Sequence, residues 1–479
     1  MLLTAKWHFR VLLLLCIILL IVPVMLRENF DRGMPIGEES YNILRYSEYL
    51  SENQQLPQED PYSYGSRSFL NEIGYPIILL LNVNTLRFIF PFIFGIFSFV
   101  FFYLIIKKIK PEVASIASLL FIVSPSFLYL FSTNSKHGPA LMLILIGLYS
   151  YLTKNKKISI ISFGLSAFFS FFLSLIPLIL MFFYEFRNKN LRSFLYLLVI
   201  DFVAFMLQFK SILFSGLPDT IFGIKDFSLA SIFTVLFSDF GSKFGISLFL
   251  FLLAIFGIYY KWHDKLRYVL IYLILLILLI ASFYLPQLLF VLFTSLAILA
   301  AYGLFGIISY EWKSDILKKI TILIVLCGLL FSSLSYISRI PEFTPTGDFI
   351  EGLNYLEGLE EGIVFSHYSR GTYISYAKKP NFMDTKFTYA PDFNQRYEDS
   401  ERILHGKNIK ETVALINRYN IKYFWIDKEL REKLWGKNDI ELLFLLKYSP
   451  ENFEKIFDNG DVEIYEYIGY ERGTKAGLR

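Results

Sequence analysis

The chain has 479 residues, 55% of them hydrophobic and only 18% charged, with 51 Phe, 32 Tyr and a formal net charge of +4; its mean hydropathy is +0.49. Soluble globular domains carry about 25% charged residues, so this composition excludes a soluble enzyme, a disordered chain and a nucleic-acid binder built on a basic surface. Cys16 and Cys327 lie far apart in apolar runs, supply neither a disulfide framework nor a zinc site, and read as small hydrophobes.

The first apolar segment runs from Phe9 to Leu26 and is stopped by Arg27, Glu28 and Asp31. A bilayer core takes about 20 residues, and the small residues of a signal-peptide cleavage site are missing, so a retained anchor is expected. Further spans are expected at 86–106, 113–131, 139–152, 192–209, 243–260, 267–283, 286–309 and 320–336. The stretch 158–185, with 28 residues, is too long for one straight span and too short for two full ones.

Charge decides between them. If 158–185 crosses twice, turning near Ser170–Ser174, six basic clusters share a side with the N-terminus: Lys6/Arg10, Lys107/Lys108/Lys110, Lys154/Lys156/Lys157, Arg187/Lys189/Arg192, Lys261/Lys265/Arg267 and Lys313/Lys318/Lys319. They hold 17 of the 26 Lys and Arg in residues 1–336, and the positive-inside rule places them in the cytoplasm. The expected fold is thus a polytopic α-helical membrane protein of about 11 transmembrane helices over 1–336. Its N-terminus is cytoplasmic, and an extracytoplasmic α/β domain occupies 337–479.

Three segments face outward in that topology. The loop 27–85 holds nine acidic residues against four Arg. The stretch 210–243 mixes Pro, Gly, Asp and apolar residues, as a partly re-entrant or interfacial segment would. In the 143-residue tail, helical spacing at 347–359 and 409–420 alternates with short apolar strands at 362–366 and 421–427. A helix near 439–448 and a strand at 462–467 follow, the pattern of an α/β domain. The tail has 20 Lys and Arg against 24 Asp and Glu and contains no Walker, dinucleotide or Ser/His/Asp signature.

The first outer loop carries the densest chemistry. Glu38 and Glu39 open an amphipathic helix whose Tyr41, Leu44 and Tyr49 suit the surface of a membrane. The carboxylates fit two roles, compensation of the helix dipole or acid–base work. Further on, Glu59-Asp60-Pro61 and Tyr64-Gly65-Ser66-Arg67 read as turns, the second placing an arginine where it can hold a phosphate oxygen.

A first helix leading outward into a long acidic loop resembles the GT-C superfamily of membrane glycosyltransferases. Within it, Glu39-Ser40-Tyr41-Asn42-Ile43-Leu44-Arg45 is similar to the first loop of the oligosaccharyltransferase catalytic subunit family, where an Asp precedes Pro-Tyr and an Arg follows. Residues 71–76 resemble that family's Tyr-Pro entry to the next helix, and 365–384 occupy the place of its WWDYG segment. The resemblance implies a polyprenyl-phosphate-linked sugar donor, an acceptor on the outer face, and Glu39 as the carboxylate associated with a divalent cation (Mg or Mn). Two motifs diverge. WWDYG is replaced by Ser366-His367-Tyr368-Ser369-Arg370-Gly371, and the second acidic motif by Ser132-Thr133-Asn134-Ser135-Lys136-His137. A divalent ion prefers several carboxylate oxygens, which Lys136 and His137 do not supply.

Sugar transfer from such a donor needs a base, cations for the departing phosphate and an apolar groove. Glu39, or Glu38 beside it, is the candidate base. Arg67, Lys136 and His137 are candidate phosphate contacts, and Arg45, Asp60 and Arg370 are supporting candidates. Asp201 stands mid-span, where carboxylates usually face a cavity or a partner. Two other readings compete: a non-catalytic relative retaining the fold as a scaffold or lipid-binding subunit, and a transporter, for which inverted repeats are not evident.

Overall fold

The computed structural model describes residues 2–29, 35–54, 60–63, 89–189, 191–208, 229–243, 245–262, 265–385, 390, 392–436 and 438–469. They form two compact units. The first falls within Met1–Ile36, Glu72–Gln208 and Ile224–Thr344, the second within Gly37–Asn71, Phe209–Gly223 and Pro345–Arg479.

The first unit is all helical. Its elements are α1 (Leu2–Asn29), α3 (Ile89–Ile109), α4 (Pro111–Val123), α5 (Pro125–Ser132), α6 (His137–Leu152), α7 (Lys156–Phe169), α8 (Phe171–Arg187), α9 (Arg192–Gln208), α10 (Leu229–Leu236), α11 (Leu248–Tyr260), α12 (Lys265–Tyr284), α13 (Leu289–Ser309) and α14 (Asp315–Arg339). In each expected span most of the described residues are helical, though 243–260 becomes a helix only from Leu248. Among the described residues four helices can cross a membrane by length and apolarity, or five if one bent pair is a single span, and α6, α11 and Ile271–Tyr284 are shorter apolar helices. Helices of this length and apolarity make the chain a membrane protein.

The expected single span at 113–131 is α4 and α5, bent by 60°. Pro125 disfavours helical backbone at Ser124, which takes an extended conformation and becomes the cap shared by both helices. The stretch 158–185 is a helical hairpin, α7 and α8, broken at Ser170. Lys156 at the start of α7 donates to Glu185 near the end of α8 (3.0 Å), and the second oxygen of Glu185 accepts the Phe194 amide of α9 (3.0 Å). At the other end Gln208 reaches the last carbonyls of α7, Ala167 and Phe168.

Aromatic rings fill the centre of this unit, Phe102 stacking on Phe121 (4.3 Å) and Phe121 on Phe293 (5.3 Å). Between α11 and α13 the backbones themselves touch. A Cβ at Gly257 would lie 1.9 Å from the Leu299 carbonyl oxygen, and one at Gly303 2.1 Å from that of Leu253. Small residues at such a crossing replace side-chain packing with close backbone approach.

The second unit has a four-stranded sheet, β1 (Ile363–Phe365), β2 (Ile421–Asp427), β3 (Phe453–Asp458) and β4 (Val462–Tyr467), in the order β1-β2-β4-β3. β1 and β2 are parallel and the other pairs antiparallel. Strand β3 escapes a pattern search because charges interrupt it and little of it is buried. Around the sheet lie α15 (Gly347–Gly358), α16 (Gly371–Tyr376), α17 (Phe393–Leu404), α18 (Ile409–Arg418), α19 (Lys428–Leu434) and α20 (Glu441–Tyr448).

This unit also contains the first-loop helix α2 (Glu38–Asn53) and the residues 60–63. The loop helix therefore groups with the tail rather than with 1–336. Tyr41 and Leu44, expected on a membrane surface, are 0% and 2% exposed. Tyr41 packs edge-on against Tyr373 (4.9 Å) and Tyr376 (5.1 Å) of α16, and that contact takes the apolar face a bilayer would otherwise cover.

Gly257→Leu and Gly303→Leu should each lower the melting temperature of the detergent-solubilised protein sharply, overpacking costing about 1–3 kcal/mol or more. Gly358→Ala, where an added Cβ meets nothing within 4 Å, should leave it unchanged.

Candidate functional site

Gly37, at a φ of 77°, turns the chain into α2 and caps it without a side-chain bond, so the carboxylates of Glu38 and Glu39 face the unsatisfied amides and positive end of the helix dipole. Both residues are half-buried. Glu38 accepts from the Thr385 hydroxyl (3.3 Å to each oxygen). Burial, with the charge of Glu38 adding to it, raises the hydroxyl pKa of Tyr373, and the same two causes contribute at Tyr368. Glu38 thus stands beside the segment that replaces WWDYG.

A chain of hydrogen bonds fixes that arrangement. Arg45 Nη1 and Nη2 donate to the two oxygens of Asp60 at 2.7 and 2.5 Å, with Asp60 0% exposed. Asp60 also accepts from Tyr46 Oη (3.3 Å) and the Tyr62 amide (3.1 Å). From that turn Tyr62 O accepts the Asn381 amide (3.1 Å) and the Ser375 hydroxyl (2.9 Å), Ser63 Oγ donates to Asp384 (3.2 Å), and Asn381 in turn bridges to Val364 of β1. The loop is thereby stitched onto the edge of the sheet. Gly371 permits the close passage of 383–384, since a Cβ there would meet the Met383 carbonyl oxygen at 2.1 Å.

Arg370 donates to Asp427 (2.8 and 3.0 Å) and Glu429 (2.7 Å). Asp427 also caps α19 through the Leu430 amide (3.0 Å). This bidentate pair holds the guanidinium's pKa up against the cost of burial. His367, 8% exposed, accepts the Ser369 amide at Nδ1 (3.3 Å), which assigns the ring proton to Nε2. Burial, then Lys433 and Arg370, push its pKa down to about 4 against the pull of Asp427.

Lys136 and His137 belong to the first unit. Both are half-buried at the start of α6. His137 Nδ1 lies 3.1 Å from Ser170 Oγ at the α7–α8 break, and its ring 5.7 Å from Phe290 of α13. Asp201 is 2% exposed, with the Ser174 hydroxyl as a polar neighbour. Arg67 lies outside the described residues, as do residues 71–76.

Two further cations in the first unit escape sequence reading. The segment Ser238–Ser247 is a knot in which Asp239 accepts from Leu248 N (2.7 Å) and Ser332 Oγ (2.6 Å), and Arg339 donates to Ser238 O (2.7 Å). Lys243 sits over the Phe343 ring at 5.6 Å. Among the described residues neither Lys243 nor Arg339 pairs with a carboxylate, whereas most cations of the second unit do. In the sequence they stand out only as cations lying outside the six basic clusters.

Among the described residues nothing fits the divalent cation implied by the resemblance. Among the described residues no three His, Cys, Asp or Glu side chains gather, and the nearby carboxylates are divided, Glu38 bonding Thr385 and Asp384 bonding Ser63.

No protein-family model and no curated protein matches the chain. Its structure is similar to the crystal structure of the oligosaccharyltransferase of Archaeoglobus fulgidus in the apo form, with a TM-score of 0.52 and 15% identity, covering 89% of this chain and 70% of that one. Similarity of the same degree, TM-score 0.52 and 15% identity, extends to the archaeal oligosaccharyltransferase AglB of that organism in complex with an inhibitory peptide and a dolichol-phosphate, over 97% of this chain and 74% of that one. The likeness is one of fold, a distant resemblance to the GT-C glycosyltransferases.

Arg45→Ala strands the Asp60 charge in a dry site and should destabilise the second unit by about 3–5 kcal/mol, read as a lower melting temperature. For His367 the folded pKa lies below the unfolded one, near 6.5. Its contribution to stability is therefore present above about pH 6.5 and lost as pH falls toward 4. His367→Gln should flatten the melting-temperature profile in that window.

Proposed function

We propose that the chain is a membrane glycosyltransferase that moves a sugar or glycan from a polyprenyl-phosphate-linked donor to an acceptor on the outer face of the membrane. One observation carries the reading. The first-loop carboxylates Glu38 and Glu39 are built into the α/β unit, Glu38 beside Tyr368 and Tyr373, in a fold shared with an oligosaccharyltransferase whose complex contains dolichol-phosphate. An orientation with eleven spans, a cytoplasmic N-terminus and an extracytoplasmic α/β domain accompanies it. The sidedness of the basic clusters and the α7–α8 hairpin support that orientation.

In the reaction, an acceptor oxygen attacks the anomeric carbon while the bond from that carbon to the phosphate oxygen breaks. The phosphate leaves with the electron pair, and the acceptor proton passes to Glu39. Glu38, hydrogen-bonded to Thr385, orients the start of α2. Arg67, Lys136 and His137 are the proposed phosphate contacts.

The test is sugar transfer from a polyprenyl-phosphate donor by the purified chain in lipid vesicles. Glu39→Gln should lower turnover by about 10²–10⁴, the usual contribution of a positioned base. Arg67→Ala should weaken transfer while the protein still inserts. Full activity in both variants overturns these roles, and a wild-type protein that binds the lipid but transfers nothing supports the scaffold reading.

A further inference from the structure

A recess of about 740 Å³ lies in the second unit at the end of the sheet where β1 and β2 begin. Its floor is apolar, from Ile363, Ile416 and Pro380, and Asn417, Asn420 and Glu361 are among the groups at its rim. The Glu38–Tyr368 region adjoins the opposite ends of these parallel strands, after Phe365 and Asp427. Seven residues of β2 separate the two ends, about 20 Å at the usual rise per strand residue. The recess is therefore a separate feature from the site described above.

Its polar groups have a distinctive accounting. Lys422, the one cation among its described lining residues, is neutralised by Glu360 (2.8 Å) and Glu466 (3.7 Å), and Lys379 lies within electrostatic reach of Glu361. Among the described residues the side-chain amides of Asn417 and Asn420 make no hydrogen bond, and Glu361 and Glu454 accept none. Asn420 is held at a φ of 52°, a backbone state that asparagine tolerates better than most residues. The surplus of carboxylate over ammonium disfavours phosphates, nucleotides and anionic headgroups. Amides that both donate and accept, beside carboxylates that accept and above an apolar floor, match a ligand whose hydroxyls do both and whose ring faces are apolar. The volume suits two or three sugar rings.

We propose that this recess is a non-catalytic binding site for a neutral oligosaccharide. A glycan held there lies about 20 Å from the Glu38 region by the strand length above, so the site would retain part of a glycan rather than take part in bond exchange. Its existence does not depend on the catalytic reading.

The test uses the full chain in lipid nanodiscs, titrated by calorimetry and saturation-transfer NMR. The probes are neutral trisaccharides of glucose, mannose, galactose and N-acetylglucosamine, with a Lys/Arg-rich decapeptide as the competing cationic ligand. At least one trisaccharide should bind. Asn417→Trp, which fills the recess from an exposed helix position, should weaken it by tenfold or more with an unchanged melting temperature. Glu361→Gln should weaken it severalfold, and Glu39→Gln should leave it unaltered. The inference is overturned if no trisaccharide binds, if Asn417→Trp leaves binding intact, or if the peptide alone binds. Sugar binding without transfer activity would leave this inference standing while the catalytic proposal failed.

Discussion

A buried ion pair organises the second unit. Asp60 is withdrawn wholly from water, and its carboxylate is tolerable there because Arg45 meets both oxygens while Tyr46 and the Tyr62 amide complete its shell. Desolvation of such a pair offsets much of its Coulombic gain, so its value lies less in net stability than in allowing one geometry. That geometry closes the connection between α2 and the turn at 60–63. It also sets Tyr62 to pair with Asn381 and Ser375, and leaves Glu38 beside Thr385. A loop distant in sequence from the sheet becomes part of it.

The consequence for function is one of division. Carboxylates at the start of α2 are carried by the α/β unit, while the cations Lys136, Lys243 and Arg339 are carried by the helical unit. Each unit is rigid for its own reasons. The helical one rests on stacked aromatics and backbone contact between α11 and α13, and the other on hydrogen bonds along a sheet edge.

Much of this was legible in the sequence, and the limits have physical causes. Apolar runs locate helices well because a bilayer leaves the backbone few alternatives. Charge resolved what hydropathy could not: the clusters flanking 158–185 demanded a turn near Ser170, and the Lys156–Glu185 pair shows the hairpin. The bend at Ser124–Pro125 was hidden by continuous apolarity on both sides. The docking of α2 was missed for a different reason. Tyr41 and Leu44 signal only that a face seeks cover, and an amphipathic pattern does not distinguish a lipid surface from the tyrosines of α16. Arg45 and Asp60 each stand out in the sequence, but spacing alone does not reveal that they satisfy one another.

Hydrogen–deuterium exchange on the full chain in nanodiscs tests the central claim most directly, namely that α2 and the residues 60–63 are integral to the α/β unit. The account predicts that amides of 41–50 and of Asn381 exchange as slowly as those of Trp425 in β2 and open together with them. Fast exchange across 41–50 beside a protected β2 would show that the loop is only draped on the domain, and would contradict the account.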